Sequence, residues 1–219
     1  MPERSVAGRT VLIAGATSTS GRTVARALLE AGARVVAVGS DQGRIETLEQ
    51  ELPGVLGEVA DLTDGDDVLE LAMRVHAGVG AVDGVVHLVG GWRGGGGIAG
   101  QTNEDYDVLA RSFTALRYLS RAFFDDLVRS PAGRIAIVSS TTVERPTAGS
   151  ANYTAVKAAS ESWMRSVADG FARADAPAAA VTYRVRSLAG LEGDLAAAVV
   201  ALWETDAADL NGSVTTLTA

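Results

Sequence analysis

Short apolar runs alternate with longer amphipathic stretches along most of the chain. Runs rich in β-branched residues predict strands at 10–14, 34–38, 55–60, 83–89, 134–140, 178–185 and 213–217. Apolar residues at helical spacing predict helices over 21–32, 40–52, 66–78, 103–130 and 194–204, and another after residue 150. Strands that are apolar throughout are typical of parallel sheets buried on both faces. The pattern therefore predicts an α/β doubly wound fold with helices on both sides of a parallel sheet.

Composition narrows the possible functions. The 219 residues show no linker, so we expect one domain over 1–219, and the net charge of −8 argues against nucleic acid or anionic lipid as partners. The chain has no cysteine and only two histidines, so no metal site is expected. No apolar stretch is long enough to span a bilayer and no signal segment is recognisable, which predicts a cytoplasmic protein without a membrane partner.

The turn after the first strand, LIAGATSTSGRTVA (12–25), is suited to phosphate binding. Gly15 permits a tight turn, and Gly21 lets the following helix approach the strand closely. The N-terminus of that helix offers free N–H groups, and Ser18, Thr19 and Ser20 add hydroxyls. A bare strand-to-helix turn also uses glycine, so the loop alone does not decide between the two interpretations.

Tyr153 and Lys157 lie four residues apart and therefore on one helical face. Ser140 ends the preceding predicted strand, thirteen residues before Tyr153. The alternative is that Tyr153 is an interface aromatic, Lys157 a surface charge and Ser140 a strand-end cap.

In combination, these motifs resemble the short-chain dehydrogenase/reductase family, in register from about Arg9 to Val185. AGATSTSG (14–21) resembles the family's TGxxxGxG cofactor loop, and Asp61 in VADLTD resembles the Asp that contacts adenine. HLVG (87–90) takes the place of the NNAG motif, and IVSS (137–140) precedes YTAVK (153–157) as in the family. The resemblance implies a Rossmann-type fold.

The resemblance also implies an NAD(P)-dependent oxidoreductase that acts on a small-molecule carbonyl or secondary alcohol. Tyr153 would be the acid/base, Lys157 would lower the pKa of Tyr153, and Ser140 would hydrogen-bond the substrate oxygen. Ser112 takes the place of an asparagine that anchors a water in the family's proton relay. The implied cofactor contacts are Gly15, Thr17, Ser18, Thr19, Ser20, Gly21, Gly39, Ser40, Asp61, Leu62, Gly90, Tyr153 and Lys157.

The end of the second strand bears on the choice of cofactor. Gly39 and Ser40 offer no carboxylate for the adenosine ribose, and Arg44 lies within reach of a 2′-phosphate, so NADP is mildly favoured over NAD. The resemblance further implies a homodimer or homotetramer formed through the helices at about 103–129 and 151–173.

The chain departs from the family pattern at four places. Thr19 replaces a glycine, His87 and Leu88 replace paired asparagines, and Ser112 replaces the relay asparagine. SLAGLEGDL (187–195) leads directly into a helix where the family has a long segment that closes over substrate. Two further hypotheses therefore stay open: a catalytically weakened or inactive nucleotide-binding regulator, and a structural subunit that pairs with an active paralogue.

Overall fold

The computed structural model of the protein describes residues 5–218, and its strands form one parallel seven-stranded sheet. The order across the sheet is β3-β2-β1-β4-β5-β6-β7. The strands are β1 (Thr10–Ala14), β2 (Arg34–Gly39), β3 (Val55–Val59), β4 (Gly84–His87), β5 (Arg134–Ser140), β6 (Ala179–Val185) and β7 (Val214–Thr216). The doubly wound α/β prediction is confirmed.

The helices follow the predicted alternation, with two differences: the short α8 was not predicted, and one predicted helix is divided. They are α1 (Thr19–Glu30), α2 (Gln42–Glu51), α3 (Gly65–Val79), α4 (Asn103–Ala122), α5 (Phe124–Arg129), α6 (Ala151–Arg173), α7 (Glu192–Val200) and α8 (Ala207–Leu210). The stretch 103–130, predicted as one helix, breaks at Phe123, which is fully buried and ends α4. Within residues 5–218, no helix has both the length and the apolar character needed to cross a membrane.

Two apolar layers cover the sheet, one on each face. Leu12 and Ala14 of β1 pack into the layer built with α3, α4 and α6. Val11 and Ile13 pack into the opposite layer, built with α1, α2 and α7. Successive strand residues thus alternate between two buried faces, which is why the strands are apolar throughout.

The chain reverses its direction of winding between β1 and β4. These neighbouring strands pair in parallel, with Ala14 opposite His87. The turns that follow them touch closely, because a Cβ on Gly15 would lie 3.0 Å from the carbonyl carbon of Leu88. Gly15 also has a φ of 80°, a conformation that favours glycine. In open α/β sheets this reversal point, at the carboxyl ends of the strands, is where ligands bind.

Candidate active site

A cavity of about 400 Å³ lies at this edge of the sheet, between the segments that follow β1, β4, β5 and β6. Residues from all four segments and from α6 line it: Ser18, Ser20, His87, Leu88, Val89, Gly90, Gly91, Trp92, Val138, Ser140, Thr142, Tyr153, Lys157, Val185, Arg186, Ser187 and Leu188. The sequence-predicted catalytic trio of Ser140, Tyr153 and Lys157 is therefore brought together, whereas Ser112 is not in this lining.

The N-terminus of α1 forms one wall of the cavity. Ser18 caps the helix, since its Oγ accepts a hydrogen bond from the Gly21 amide at 3.0 Å. Among the described residues, the amides of Thr19 and Ser20 have no acceptor and can donate to a ligand. A Cβ on Gly21 would lie 2.4 Å from the Gly15 oxygen, so only glycine allows the helix to start this close to β1.

Thr19 does not obstruct this wall. It is the first residue of α1, its side chain is exposed, and it is absent from the cavity lining. Its backbone φ is not positive, since Asp175 is the only non-glycine residue with a positive φ in the part of the chain that the structure describes. A glycine is therefore not required at this position for backbone conformation.

Ser140 and Tyr153 both line the cavity, and Ser140 is close enough to the phenol to act on its pKa through hydrogen bonding. Ser140 ends β5 and is buried, and its Oγ accepts from both the amide and the hydroxyl of Thr142, at 3.2 and 3.0 Å. Burial raises the pKa of Tyr153, and the hydrogen bond with Ser140 offsets only part of this effect.

Lys157 is expected to lower the pKa of Tyr153, and this stays a prediction, since burial and the hydrogen bond with Ser140 are the influences that the structure shows on this phenol. The Lys157 Nζ lies over the tyrosine ring, 5.8 Å from the ring centroid, and donates to the Val138 carbonyl at 2.8 Å. The ammonium therefore contacts both the tyrosine ring and strand β5. Burial of the ammonium lowers the pKa of Lys157 to about 8, with Glu161 acting in the opposite direction. Lys157 is also the only lysine in the sequence.

A buried ion-pair network lies directly behind Lys157. The Glu161 carboxylate accepts from Ser139 Oγ at 2.6 Å and from Arg184 Nε and Nη2 at 2.9 and 2.7 Å. Arg184 also pairs with Glu144, which follows β5. Burial alone would raise the pKa of Glu161, but the hydrogen bonds from Arg184 and Ser139 outweigh it and hold the pKa below its usual value. Sequence reasoning missed this network; its one signal is an acid four residues after Lys157.

Ser112 and His87 form a separate contact beside the cavity. His87 Nε2 lies 3.0 Å from the main-chain oxygen of Ser112. The Ser112 hydroxyl donates to Leu109 O within its own helix, at 2.7 Å. The Ser112 hydroxyl is thus bonded within α4, and the hydrogen bond between β4 and α4 comes from His87.

The remaining predicted cofactor residues lie along the sheet edge towards β2 and β3. Thr17, Gly39, Ser40, Asp61 and Leu62 are outside the cavity lining, whereas Gly90 is within it. Thr17 Cγ2 would be 3.2 Å from a Cβ on Gly39, so the turns after β1 and β2 are in contact.

Asp61 and Asp41 both have partners within the protein. Asp61 accepts from the hydroxyl of Thr63 at 2.7 Å, which lowers its pKa, and pairs with Arg111 at 3.4 Å. Asp41, just beyond Ser40, caps α2 by accepting from the Arg44 amide at 2.8 Å.

Comparison with known proteins identifies the family. The model of the short chain dehydrogenases matches residues 9–182. The chain belongs to this family. Nodulation protein G of Rhizobium meliloti (strain 1021) is 32% identical over 167 residues, 75% of this chain and 68% of that protein. The 3-oxoacyl-[acyl-carrier-protein] reductase FabG of Vibrio harveyi is 27% identical over 162 residues, 74% of this chain.

The chain spans only part of the length of its curated relatives. The match covers 66% of the Vibrio reductase and 57% of the short chain dehydrogenase MYCFIDRAFT_6125 of Pseudocercospora fijiensis (strain CIRAD86). Activities of these proteins are therefore carried to this chain only as a proposal.

Solved structures agree with the family fold. A short-chain type dehydrogenase/reductase from Mycobacterium ulcerans superposes with a TM-score of 0.86 at 23% identity, covering 97% of this chain and 89% of the other. A metagenomic short-chain oxidoreductase in complex with NADP gives a TM-score of 0.84 at 25% identity, with 98% and 99% covered. Both share the doubly wound architecture of this chain.

Proposed function

We propose that this short-chain dehydrogenase is one nucleotide-binding domain that transfers a hydride between NAD(P) and the carbonyl or secondary alcohol of a small molecule. The observation that carries the proposal is the convergence of Ser140, Tyr153 and Lys157 on one cavity. That cavity also borders the free amides at the start of α1, so a site for an anionic cofactor adjoins a site for proton transfer.

The residues present fit a dinucleotide. The close approach that Gly21 permits brings the Thr19 and Ser20 amides within reach of a pyrophosphate. Lys157 and Arg186 are in the cavity lining, which contains no carboxylate although the chain as a whole carries a charge of −8. This local positive charge suits a phosphate-bearing ligand. When bound, the nicotinamide cofactor supplies or accepts the hydride.

We propose NADP as the preferred cofactor. Gly39 and Ser40 place no carboxylate at the end of β2, and Asp41 is engaged with the amide of Arg44 in capping α2. The Arg44 side chain is exposed on the first turn of that helix, where it can reach a 2′-phosphate. The solved relative with NADP supports the same preference.

Ser140 is positioned to orient the substrate oxygen. Thr154 donates to Thr142 Oγ1 at 3.1 Å, and Thr142 donates to Ser140. Because Ser140 Oγ already accepts these hydrogen bonds, its own hydrogen is available for the Tyr153 oxygen or for a substrate oxygen beside it. The chain of hydroxyls therefore sets the direction of the Ser140 donor before the substrate arrives.

Tyr153 is suited to donate a proton. A phenol whose pKa is raised by burial stays protonated at neutral pH, so we infer that the site favours carbonyl reduction. In that direction Tyr153 gives its hydroxyl proton to the carbonyl oxygen held by Ser140.

The test is Tyr153→Phe, which keeps the ring and removes the proton donor. We expect NADPH-dependent reduction over a panel of carbonyl compounds to fall by at least about 100-fold, the range of general acid catalysis, while nucleotide binding is retained. Tyr106→Phe, at an exposed position outside the cavity lining, is the matched control. Unchanged turnover in Tyr153→Phe would overturn the assignment of Tyr153.

A nucleotide-binding regulator without turnover is the second candidate. Two observations favour it: the Ser112 hydroxyl is directed into its own helix, and the chain passes from β6 to α7 through a short turn. An open site excludes water poorly. This candidate predicts binding of NADPH or NADH with no reduction across the carbonyl panel.

We further propose that α4 and α6 form the interface of a homodimer or homotetramer. A shallow surface pocket between α6 and the junction of α4 with α5 contains Phe124, Trp163 and Gly170. Trp163 is only half-buried in the single chain and donates to Ser120 Oγ at 2.8 Å. Light scattering of Trp163→Glu should report monomers, because a buried charge opposes association.

A further inference from the structure

His87 is one of the cavity-lining residues and carries a buried ring nitrogen without a hydrogen-bond partner among the described residues. Its Nε2 lies 3.0 Å from the Ser112 carbonyl oxygen. A carbonyl oxygen can only accept, so Nε2 carries the hydrogen and Nδ1 carries a lone pair. His87 is 6% exposed, and among the described residues Nδ1 has no hydrogen-bond partner. A buried acceptor without a donor is unfavourable, so a hydrogen-bond partner is expected for this atom.

The imidazole stays neutral over the range in which enzymes work. Burial, together with the charge of Lys157, lowers the pKa of His87 to about 3. The ring is therefore a permanent acceptor on this side of the cavity, and it does not itself take up a proton.

Lys157 is a donor in the same cavity lining as His87, and its charge acts on the His87 ring. Both line the cavity, and Nζ is so close to the segment after β4 that a Cβ on Gly90 would lie 3.6 Å from it. Within the described part of the chain, Lys157 uses one hydrogen on the Val138 carbonyl, which leaves two. No direct hydrogen bond joins the two side chains among the described residues, so a bridge of one water is the arrangement that satisfies both.

We propose that His87 Nδ1 and the Lys157 ammonium hold a water between them, in which the water accepts from Lys157 and donates to His87. His87 is then a positioning residue: it stabilises the charged form of Lys157 and fixes the ammonium beside Tyr153. A role for His87 in catalysis rests on the proposed function, but the water bridge itself can be tested without measuring turnover.

Other charged groups also act on Lys157 and must be held constant. Tyr153 and Glu161 face it from α6, and the charge of Glu161 is balanced by Arg184 of β6. Arg186, after β6, lies further along the cavity lining. The test therefore changes His87 alone.

The single lysine makes the measurement direct. Protein labelled with ¹³C at lysine Cε gives one lysine side-chain signal, which can be titrated from about pH 6 to about pH 11. We expect a midpoint near 8 in the wild type. His87→Leu removes the acceptor and should lower the midpoint by about 0.5–1 pH unit, whereas His87→Asn keeps an acceptor and should restore at least half of that shift. An unchanged or raised midpoint in His87→Leu overturns the proposal.

The wild-type protein provides a test that needs no variant. It has two histidines, so ¹⁵N-histidine spectra contain two rings, and His76 is distinguished by its contact with Asp126 at 2.7 Å. The proposal requires His87 in the Nε2–H tautomer with a hydrogen-bonded Nδ1. The Nδ1–H tautomer would contradict it even if His87→Leu does not fold.

The proposal and the proposed function can fail separately. If His87→Leu lowers the lysine midpoint but the wild type shows no turnover, the water bridge is supported and the oxidoreductase function is excluded. If turnover depends on Tyr153 but His87→Leu does not shift the lysine midpoint, the oxidoreductase function is supported and the water bridge is overturned. If both hold, the alkaline limb of the kcat profile should move with His87→Leu in the same direction as the lysine midpoint.

Discussion

Lys157 and Glu161 lie one turn apart on α6, and the protein treats their charges in opposite ways. Glu161 is 2% exposed at its side chain and is surrounded by Arg184 and Ser139, which donate to both carboxylate oxygens. Among residues 5–218, Lys157 donates to one acceptor, the Val138 carbonyl. The Glu161 carboxylate is fully paired within the protein, whereas the Lys157 ammonium keeps N–H hydrogens that are available to a further acceptor.

The two pKa values express this difference. Hydrogen bonds overcome burial at Glu161 and lower its pKa, which means that folding favours its charged form. Burial lowers the pKa of Lys157 to about 8, which means that folding disfavours its charged form. A group held at a cost to stability is typical of a functional site, and a paired buried group is typical of a structural one.

Arg184→Met should give the largest change in stability. It leaves the buried Glu161 carboxylate without its cation, so we expect unfolding free energy to fall by about 3 kcal/mol in urea denaturation at neutral pH. Arg129→Met, which removes an exposed pair with Asp125, should change it by less than about 0.5 kcal/mol. Equal effects of the two substitutions would show that the network is not structural.

Lys157→Met should stabilise the protein while removing function. Holding the ammonium in the fold costs free energy of folding below pH 8. This cost is relieved as pH rises from about 8 towards 10.5, because over that range the unfolded chain binds the proton and the folded chain does not. We expect a gain of about 1–2 kcal/mol at neutral pH, less than the full shift implies since the side chain is partly solvated. Denaturation near pH 10.5 should show the gain much reduced; a loss of stability at neutral pH would contradict this account.

Ser139→Ala should have a smaller, destabilising effect. It removes one buried hydrogen bond to Glu161 and should lower unfolding free energy by about 1 kcal/mol at neutral pH. Because the pKa of Glu161 is lower in the folded chain than in the unfolded chain, its charged form stabilises the fold above the unfolded pKa of about 4.5. This contribution is lost as pH falls through the folded pKa. The variant should therefore differ less from the wild type in acid. Ser166→Ala, at an exposed helical position, is the control and should be near neutral.

Much of the fold follows from local sequence. Each strand is a continuous apolar run because both of its faces are covered, and Gly15 and Gly21 mark a turn where backbone segments touch. The break at Phe123 was not predicted, because apolar periodicity continues through it. Only the packing of that ring shows where α4 ends.

The site was less predictable than the fold. The spacing of Tyr153 and Lys157 places them on one helical face, but it does not reveal that Nζ lies over the tyrosine ring. The pairing of Glu161 with Arg184 joins α6 to β6, and the contact of His87 with Ser112 joins β4 to α4. Such contacts depend on tertiary placement, which a single sequence does not display.

The most direct test of the central claim is a titration of the purified protein with NADPH and NADH, followed by nicotinamide fluorescence. We predict saturable binding, tighter for NADPH, and weaker binding to Lys157→Met because the cavity loses a positive charge. If neither nucleotide binds at millimolar concentration, the cavity is not a cofactor site, and Ser140, Tyr153 and Lys157 do not act in hydride transfer.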